Sequence, residues 1–166
     1  MDSAQLRERQ QPLKQQYRAD PGSAVVTLRA EGSLGDTEVS CSVQTGRTLV
    51  EAGLHPATGG DGSLACSGDM LLEALVACAG VTLRAVAINR GLEVSGTVRA
   101  EGDLDFRGTL GVDRDAPVGF RAIRLIFDLD SPAPSADIDA LIETTERYCV
   151  VFQTLASSPA LEVVHA

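Results

Sequence analysis

From residue 67 to residue 91 the chain reads SGDMLLEALVACAGVTLRAVAINRG, and between Met70 and Ile88 only Glu73 and Arg84 carry charge. Apolar residues fall on nearly every face at helical spacing. That predicts one long helix, covered on all sides. Ser67 suits the N-cap, Asp69 the first turn and Gly91 the C-terminal stop. Ala74, Ala77, Ala79 and Gly80 are small and admit another backbone closely. A chain of this size rarely wraps one helix completely, so a second copy is expected to supply part of the cover.

The flanking pattern is mostly strand. Residues 3–16 are polar with helix-forming composition, predicting a helical extension over 1–22 that ends at the Pro21-Gly22 turn. Residues 23–166 then form a single domain. Residues 23–31 (SAVVTLRAE) alternate and are β-branched, predicting a strand, followed by a hairpin loop over 32–36. Residues 37–44 (TEVSCSVQ) read as the return strand, with Val39, Cys41 and Val43 on one face, and 47–52 as a third short strand. Residues 53–67 read as a connector. Their glycines lack the GK[ST] or GxGxxG context of a phosphate cradle.

Beyond the long helix, 92–101 and 104–110 alternate weakly, with a bend at Gly102. Residues 120–129 (FRAIRLIFDL) alternate clearly and put Ile123, Leu125, Phe127 and Leu129 on the core face. Ser135 is placed to cap a second helix that carries Ile138, Leu141, Ile142, Thr145, Cys149, Phe152 and Leu155 at helical spacing. Pro159 ends it, and 161–165 read as a last edge strand.

Charge narrows the partners. A net charge of -9 argues against nucleic acid and anionic membranes. Glu73 and Arg84 interrupt the best candidate for a membrane span. The first residues, MDSAQLRERQQPLKQQY, lack the apolar core of a signal peptide, so a cytoplasmic location is expected. Four cysteines at 41, 66, 78 and 149 show no CxxC spacing, and only His55 and His165 accompany them. No metal or other cofactor is expected from that set. Reduced thiols are the default, with room for one redox pair. Cys41 reads as a sheet-face residue. Cys66, at the start of the long helix, is a rival reactive thiol. It stands about 18 Å from Cys78 along that helix, beyond disulfide reach.

Cys78 sits in the middle of the apolar helix, where a cysteine is either an inert small hydrophobe or a reactive thiol. Cys149, in ERYCVVFQTL, lies on the buried face of the second helix. With SGDMLLEALVACAGVTL, the strands that follow it and RYCVV, the chain resembles the OsmC/Ohr family over roughly residues 23–165, most closely its OsmC-like branch. The resemblance implies an α+β fold with antiparallel sheets packed around two buried central helices in an intertwined homodimer. It implies a peroxidase that reduces organic hydroperoxides in oxidative-stress defence. Cys78 would be the peroxidatic cysteine, Cys149 the resolving one, and an external dithiol the reductant. Apolar walls would favour a fatty or aryl hydroperoxide.

The chain also departs from the pattern. Hydroperoxide reductases similar to it carry a Glu ten residues before the peroxidatic cysteine, where this chain has Gly68. Asp69 falls on the opposite helix face from Cys78, and Glu73 and Arg84 point away, so nothing on this helix is expected to activate the thiol. Desolvation raises a thiol above about 8.5, so a positive partner is required from the strand hairpin or a second subunit. Arg29 and Arg47 are the nearest candidates. The Pro usual after the second cysteine is Val150. The alternative is an OsmC-like binding module, with an apolar cleft for a lipid-like or aromatic ligand and inert cysteines. The distance between Cys78 and Cys149, and any arginine reaching Cys78, separate the two readings.

Overall fold

The structure is a computed structural model that describes residues 2–25, 27, 32–34, 40–45 and 48–165, with the backbone alone for 32–34, 40–45 and 48. Helices and largely antiparallel strands alternate in an α+β fold, as expected. The chain divides into two compact units, Met1–Leu71 with Gly102–Ile123, and Leu72–Glu101 with Arg124–Ala166.

The first unit opens with α1, Ser3–Ala19, three residues longer than its composition predicts. Asp2 and Gln5 cap it reciprocally, at 2.8 and 3.0 Å. None of its residues is buried, as the absence of an apolar stripe requires. The strand expected over 23–31 begins instead in a 3-10 turn, Pro21–Ala24, closed by Asp20. Residues 26 and 28–31, and with them most of that expectation, lie outside the described residues.

A four-stranded sheet follows, in the order β1 (Gly32–Leu34), β2 (Ser40–Thr45), β3 (Thr48–Gly53), β4 (Ala65–Cys66). β1 pairs antiparallel with β2, Leu34 opposite Cys41, so residues expected in a hairpin loop are strand. β2 pairs antiparallel with β3, and β3 pairs parallel with β4. The expected connector over 53–67 therefore contains a strand. It also contains a 3-10 turn, Pro56–Thr58, capped by His55.

Residues 104–110 are not a strand. Asp105 accepts from the Arg107 N–H and starts a helical turn, α3 (Phe106–Thr109). Arg107 then pairs with Asp105 at 2.6 Å and Asp113 at 3.0 Å. These local polar bonds outcompete a weak alternation. Phe106 stacks on His55 with ring centroids 4.9 Å apart.

Most of α2, Ser67–Arg90, belongs to the second unit. Ser67 is its first residue rather than its cap. Gly91 ends it at φ 70°, with the Leu92 N–H closing on the Ala87 carbonyl at 2.9 Å. Its buried residues are Leu75, Ala79, Leu83 and Ala87, a single stripe at four-residue spacing. The expectation of all-round burial is thus corrected within one chain: Val81 is 73% exposed and Leu71 38%. A second correction concerns Glu73 and Arg84. By length and composition α2 is long and apolar enough to cross a membrane despite both charges, a test that core helices also pass.

β5 (Ser95–Asp103) and β6 (Ala122–Asp130) form a two-stranded sheet. Arg124 of β6 reaches Glu101 of β5 at 3.3 Å, while Ser95 at the start of β5 reaches the carbonyl of Asp130 at the end of β6, so the pair is antiparallel. Phe127 and Leu129 pack with Ile138 against the buried cluster of Leu83, Ala87 and Leu141.

The second apolar helix is two. α4 spans Ser135–Tyr148 and α5 Val150–Ala156, and Cys149 between them is extended, at φ -75° and ψ 108°. Pro134, not Ser135, occupies the N-cap of α4. The expected edge strand over 161–165 has no regular structure, and Val163 is 99% exposed.

Candidate functional site

Cys78 occupies the middle of α2 and is half-buried, whereas Cys149 is fully buried. Leu141, Thr145 and Cys149 follow one another at four-residue spacing, so the inner stripe of α4 ends on the Cys149 sulfur. The two thiols, 71 positions apart in sequence, are in side-chain hydrogen-bonding contact. The structure thus brings together the two cysteines that the sequence singled out.

The break at Cys149 supplies the rest of the site. A continuous helix would tie the Val150 and Val151 N–H groups to carbonyls one turn back. The extended Cys149 releases them. The Cys149 N–H still closes α4 on the Thr145 carbonyl at 2.9 Å, and the Gln153 N–H restarts helix on the Cys149 carbonyl at 2.9 Å. The carbonyl of Glu146 accepts instead from the Gln153 side chain at 2.8 Å. No hydroxyl or carboxylate caps α5. Its first N–H groups act on the sulfurs: those of Val150 and Val151 favour the Cys78 thiolate, and those of Phe152 and Val151 oppose the effect of burial on Cys149.

These contacts split the two thiols. Burial, the largest single influence on Cys78, pushes its pKa up. The Val151 N–H, the Cys149 thiol, the Val150 N–H and the Thr82 hydroxyl together pull it below the ordinary thiol value. Burial likewise pushes Cys149 up, and Cys78 adds to that push through its hydrogen bond and its developing charge, leaving Cys149 above the ordinary value. Cys78 is therefore the thiol that ionises first, with Cys149 donating to it.

Among the described residues, amide N–H groups act on Cys78 where a positive partner was expected. Arg29 and Arg47 lie outside the described residues, as does the side chain of Cys41. Arg84 donates to the Val94 carbonyl at 3.0 Å, away from Cys78. Thr82 corrects the expectation that α2 offers the thiol nothing. One turn past Cys78, its hydroxyl donates to the Cys78 carbonyl at 2.8 Å and lies within reach of the sulfur. With a single proton it serves one acceptor at a time. Its position four residues after Cys78 was a readable signal. The Val150 and Val151 N–H groups were not, because a periodic pattern hides the break.

In the first unit, Gly68 lies beside Cys66. A Cβ on it would meet Phe120 at 3.5 Å, the Cys66 sulfur at 3.6 Å and Leu104 at 3.7 Å. Cys66 is a free thiol, half-buried. Among the described residues, no group of three or more His, Cys, Asp or Glu side chains converges to hold a metal.

Residues 60–164 match the family described as OsmC-like protein. No curated protein matches the chain. Among solved structures, an OsmC-like protein from Mycoplasma pneumoniae is 18% identical, with a TM-score of 0.66 over 80% of this chain and 89% of its own. An organic hydroperoxide resistance protein from Elizabethkingia anophelis is 15% identical, with a TM-score of 0.60 over 81% and 91%. Another from Legionella pneumophila is 16% identical, with a TM-score of 0.58 over 81% and 92%. At these identities the likeness is one of fold.

Proposed function

Because the chain belongs to the OsmC-like protein family, we propose that it is a thiol-dependent peroxidase that reduces organic hydroperoxides in the cytoplasm. The observation that carries the reading is the contact between Cys78 and Cys149 with their opposite ionisation shifts. A peroxidatic thiol needs to be anionic and reachable, and Cys78 is lowered and half-exposed. A resolving thiol needs to stay protonated beside it, and Cys149 does. Relatives of this fold named for organic hydroperoxide resistance add support.

The chemistry runs in three steps. The Cys78 thiolate attacks the terminal oxygen of the hydroperoxide, the O–O bond breaks, and the alkoxide takes a proton to leave as the alcohol. Cys78 is then a sulfenic acid. Cys149 gives up its proton and its sulfur displaces hydroxide, which departs as water, leaving the Cys78–Cys149 disulfide. An external dithiol returns two electrons and two protons. We further propose a homodimer whose second copy covers the exposed apolar face of α2 that includes Val81.

A second reading, the ligand-binding module with inert cysteines, is favoured by Gly68 standing where related reductases hold a carboxylate. The test uses a Cys41→Ser/Cys66→Ser variant given one equivalent of cumene hydroperoxide. Loss of both remaining thiols, followed by turnover with dithiothreitol, is expected. Retention of both thiols after prolonged exposure would leave the binding module.

A further inference from the structure

α1 lies uncovered. None of its 17 residues is buried, and among the described residues its one extensive contact with another element is with the Pro21–Ala24 turn that follows it. Leu6, Leu13 and Tyr17 form a narrow apolar strip along the helix, and Arg7, Lys14 and Arg18 run beside it at the same spacings of seven and four residues. Leu13 and Tyr17 are 45% and 37% exposed. The charge is equally one-sided. Of the chain's 14 basic and 23 acidic residues, α1 holds Arg7, Arg9, Lys14 and Arg18 against Glu8 alone, which leaves ten basic and 22 acidic residues elsewhere.

α4 carries the complementary face. Asp139 and Glu143 are exposed and Glu146 is half-buried, on the side of the helix turned away from the buried Leu141 and Thr145. Like charges three and four residues apart repel one another along a helix. Among the described residues, neither these carboxylates nor the four cations of α1 form an ion pair. Each row therefore keeps a repulsion that the other would cancel.

We propose that α1 of one copy docks on this acidic side of α4 in a second copy, where Lys14 and Arg18 match the four-residue spacing of Asp139 and Glu143. The strip of Leu6, Leu13 and Tyr17 goes under cover in the same contact. Most helices in proteins owe their stability to packing of such a face, and α1 in one copy buries none of its residues. A second copy fits better than a lipid or nucleic-acid surface, because a polyanion that attracts α1 repels the acidic remainder of the chain. The contact is separate from the thiol chemistry and does not depend on it.

Lys14 is the one lysine in the chain, so a carbodiimide, which joins an amine to a carboxylate without a spacer, reports where α1 rests. Full-length chain of natural isotopic composition and chain labelled with heavy nitrogen are refolded together in equal amounts, cross-linked, and mapped by peptide mass spectrometry. The expected result is a link from Lys14 to Asp139, Glu143 or Glu146 that pairs light with heavy peptides as often as like with like. Its yield should fall roughly several-fold in about 1 M sodium chloride, where screening shortens the reach of charge. Links that never pair light with heavy overturn the proposal, since α1 then rests within its own copy. Absence of any link from Lys14 to α4 also overturns it, and sedimentation of the chain on phosphatidylserine vesicles would then assign α1 to a membrane. A second arm needs no cross-link. Neutralising the face with Asp139→Asn/Glu143→Gln/Glu146→Gln is expected to quicken tryptic cleavage within α1 roughly several-fold, with the far-ultraviolet circular dichroism spectrum unchanged. An unaltered cleavage rate in the folded variant overturns the contact.

Discussion

The sulfurs of Cys78 and Cys149 are in contact, and each displaces the other's ionisation in the opposite sense, Cys78 downward and Cys149 upward. The two titrate as a pair, with the first proton leaving from the Cys78 side. Among the described residues, the groups that oppose the desolvation of Cys78 carry no net charge.

The pH dependence of Cys78 alkylation follows. In a variant with the other three cysteines replaced by serine, the rate of reaction with iodoacetamide should rise through a midpoint below the ordinary thiol value of about 8.5. Because the folded thiol ionises before the unfolded one, ionisation favours the fold. That contribution is complete above the unfolded value and disappears as pH falls through the folded one. Cys149→Ala, which deletes a donor, should move the midpoint up relative to Cys149→Ser. A midpoint at or above that of a free thiol in both variants would contradict the site described here.

Val150→Pro separates the amide contribution from the rest. Proline suits the first position of α5, and Cys149 already has the backbone that a residue before proline prefers, at φ -75° and ψ 108°. The fold should therefore survive, with an unchanged far-ultraviolet circular dichroism spectrum. The N–H lost is one that faces Cys78, so the alkylation midpoint should rise. An unmoved midpoint in a folded protein would show that Val150 contributes nothing to the thiolate.

Two glycines should respond oppositely to alanine. At Gly68 a new Cβ makes only ordinary contacts, the nearest at 3.5 Å to Phe120. Gly68→Ala should stabilise by about 0.5 kcal/mol through lost freedom of the unfolded chain, seen as a small rise in Tm. At Gly102 the Cβ would run into the ring of Phe120. Gly102→Ala should destabilise by about 1–3 kcal/mol. Equal effects of the two substitutions in thermal unfolding would refute the packing described.

Asp105 gives an acid-range prediction. Its hydrogen bonds and charge pairing with Arg107 hold its carboxyl down at about 2. The stability this confers is complete above about pH 4, the unfolded value, and is lost as pH falls toward 2. The gap in Tm between the native chain and Asp105→Asn should be open at pH 5 and close on acidification. A gap independent of pH would show that the charge of Asp105 has no part in it.

Where periodicity was strong, the elements were legible. α2 and its stop at Gly91, and the core face of β6 from Ile123 to Leu129, follow directly from the spacing of their residues. Where local polar chemistry decides, periodicity misled. Asp105 and Arg107 turn a weak alternation into α3, and Gly32 to Leu34 pair as strand where turn-forming residues suggested a loop. The two cysteines of the site could be named from their helical faces. The share of the Cys78 shift that comes from backbone N–H groups freed at Cys149 could not, because an unbroken helical pattern gives no sign of an interruption there. Burial of α2 was overestimated for a related reason: composition reports how many faces are apolar, and only a partner determines how many are covered.

The placement of amide protons on sulfur at the head of α5 makes this helix a spectroscopic gauge of the cysteines. An N–H that faces a thiolate experiences a full negative charge, and one that faces a disulfide does not. The amide resonances of Val150 and Val151 should therefore shift together as Cys78 titrates and again when it is oxidised. Hydrogen exchange at these two positions should quicken once the thiolate is gone. The redox state of the protein can thus be followed in its native form, without a probe attached to either sulfur.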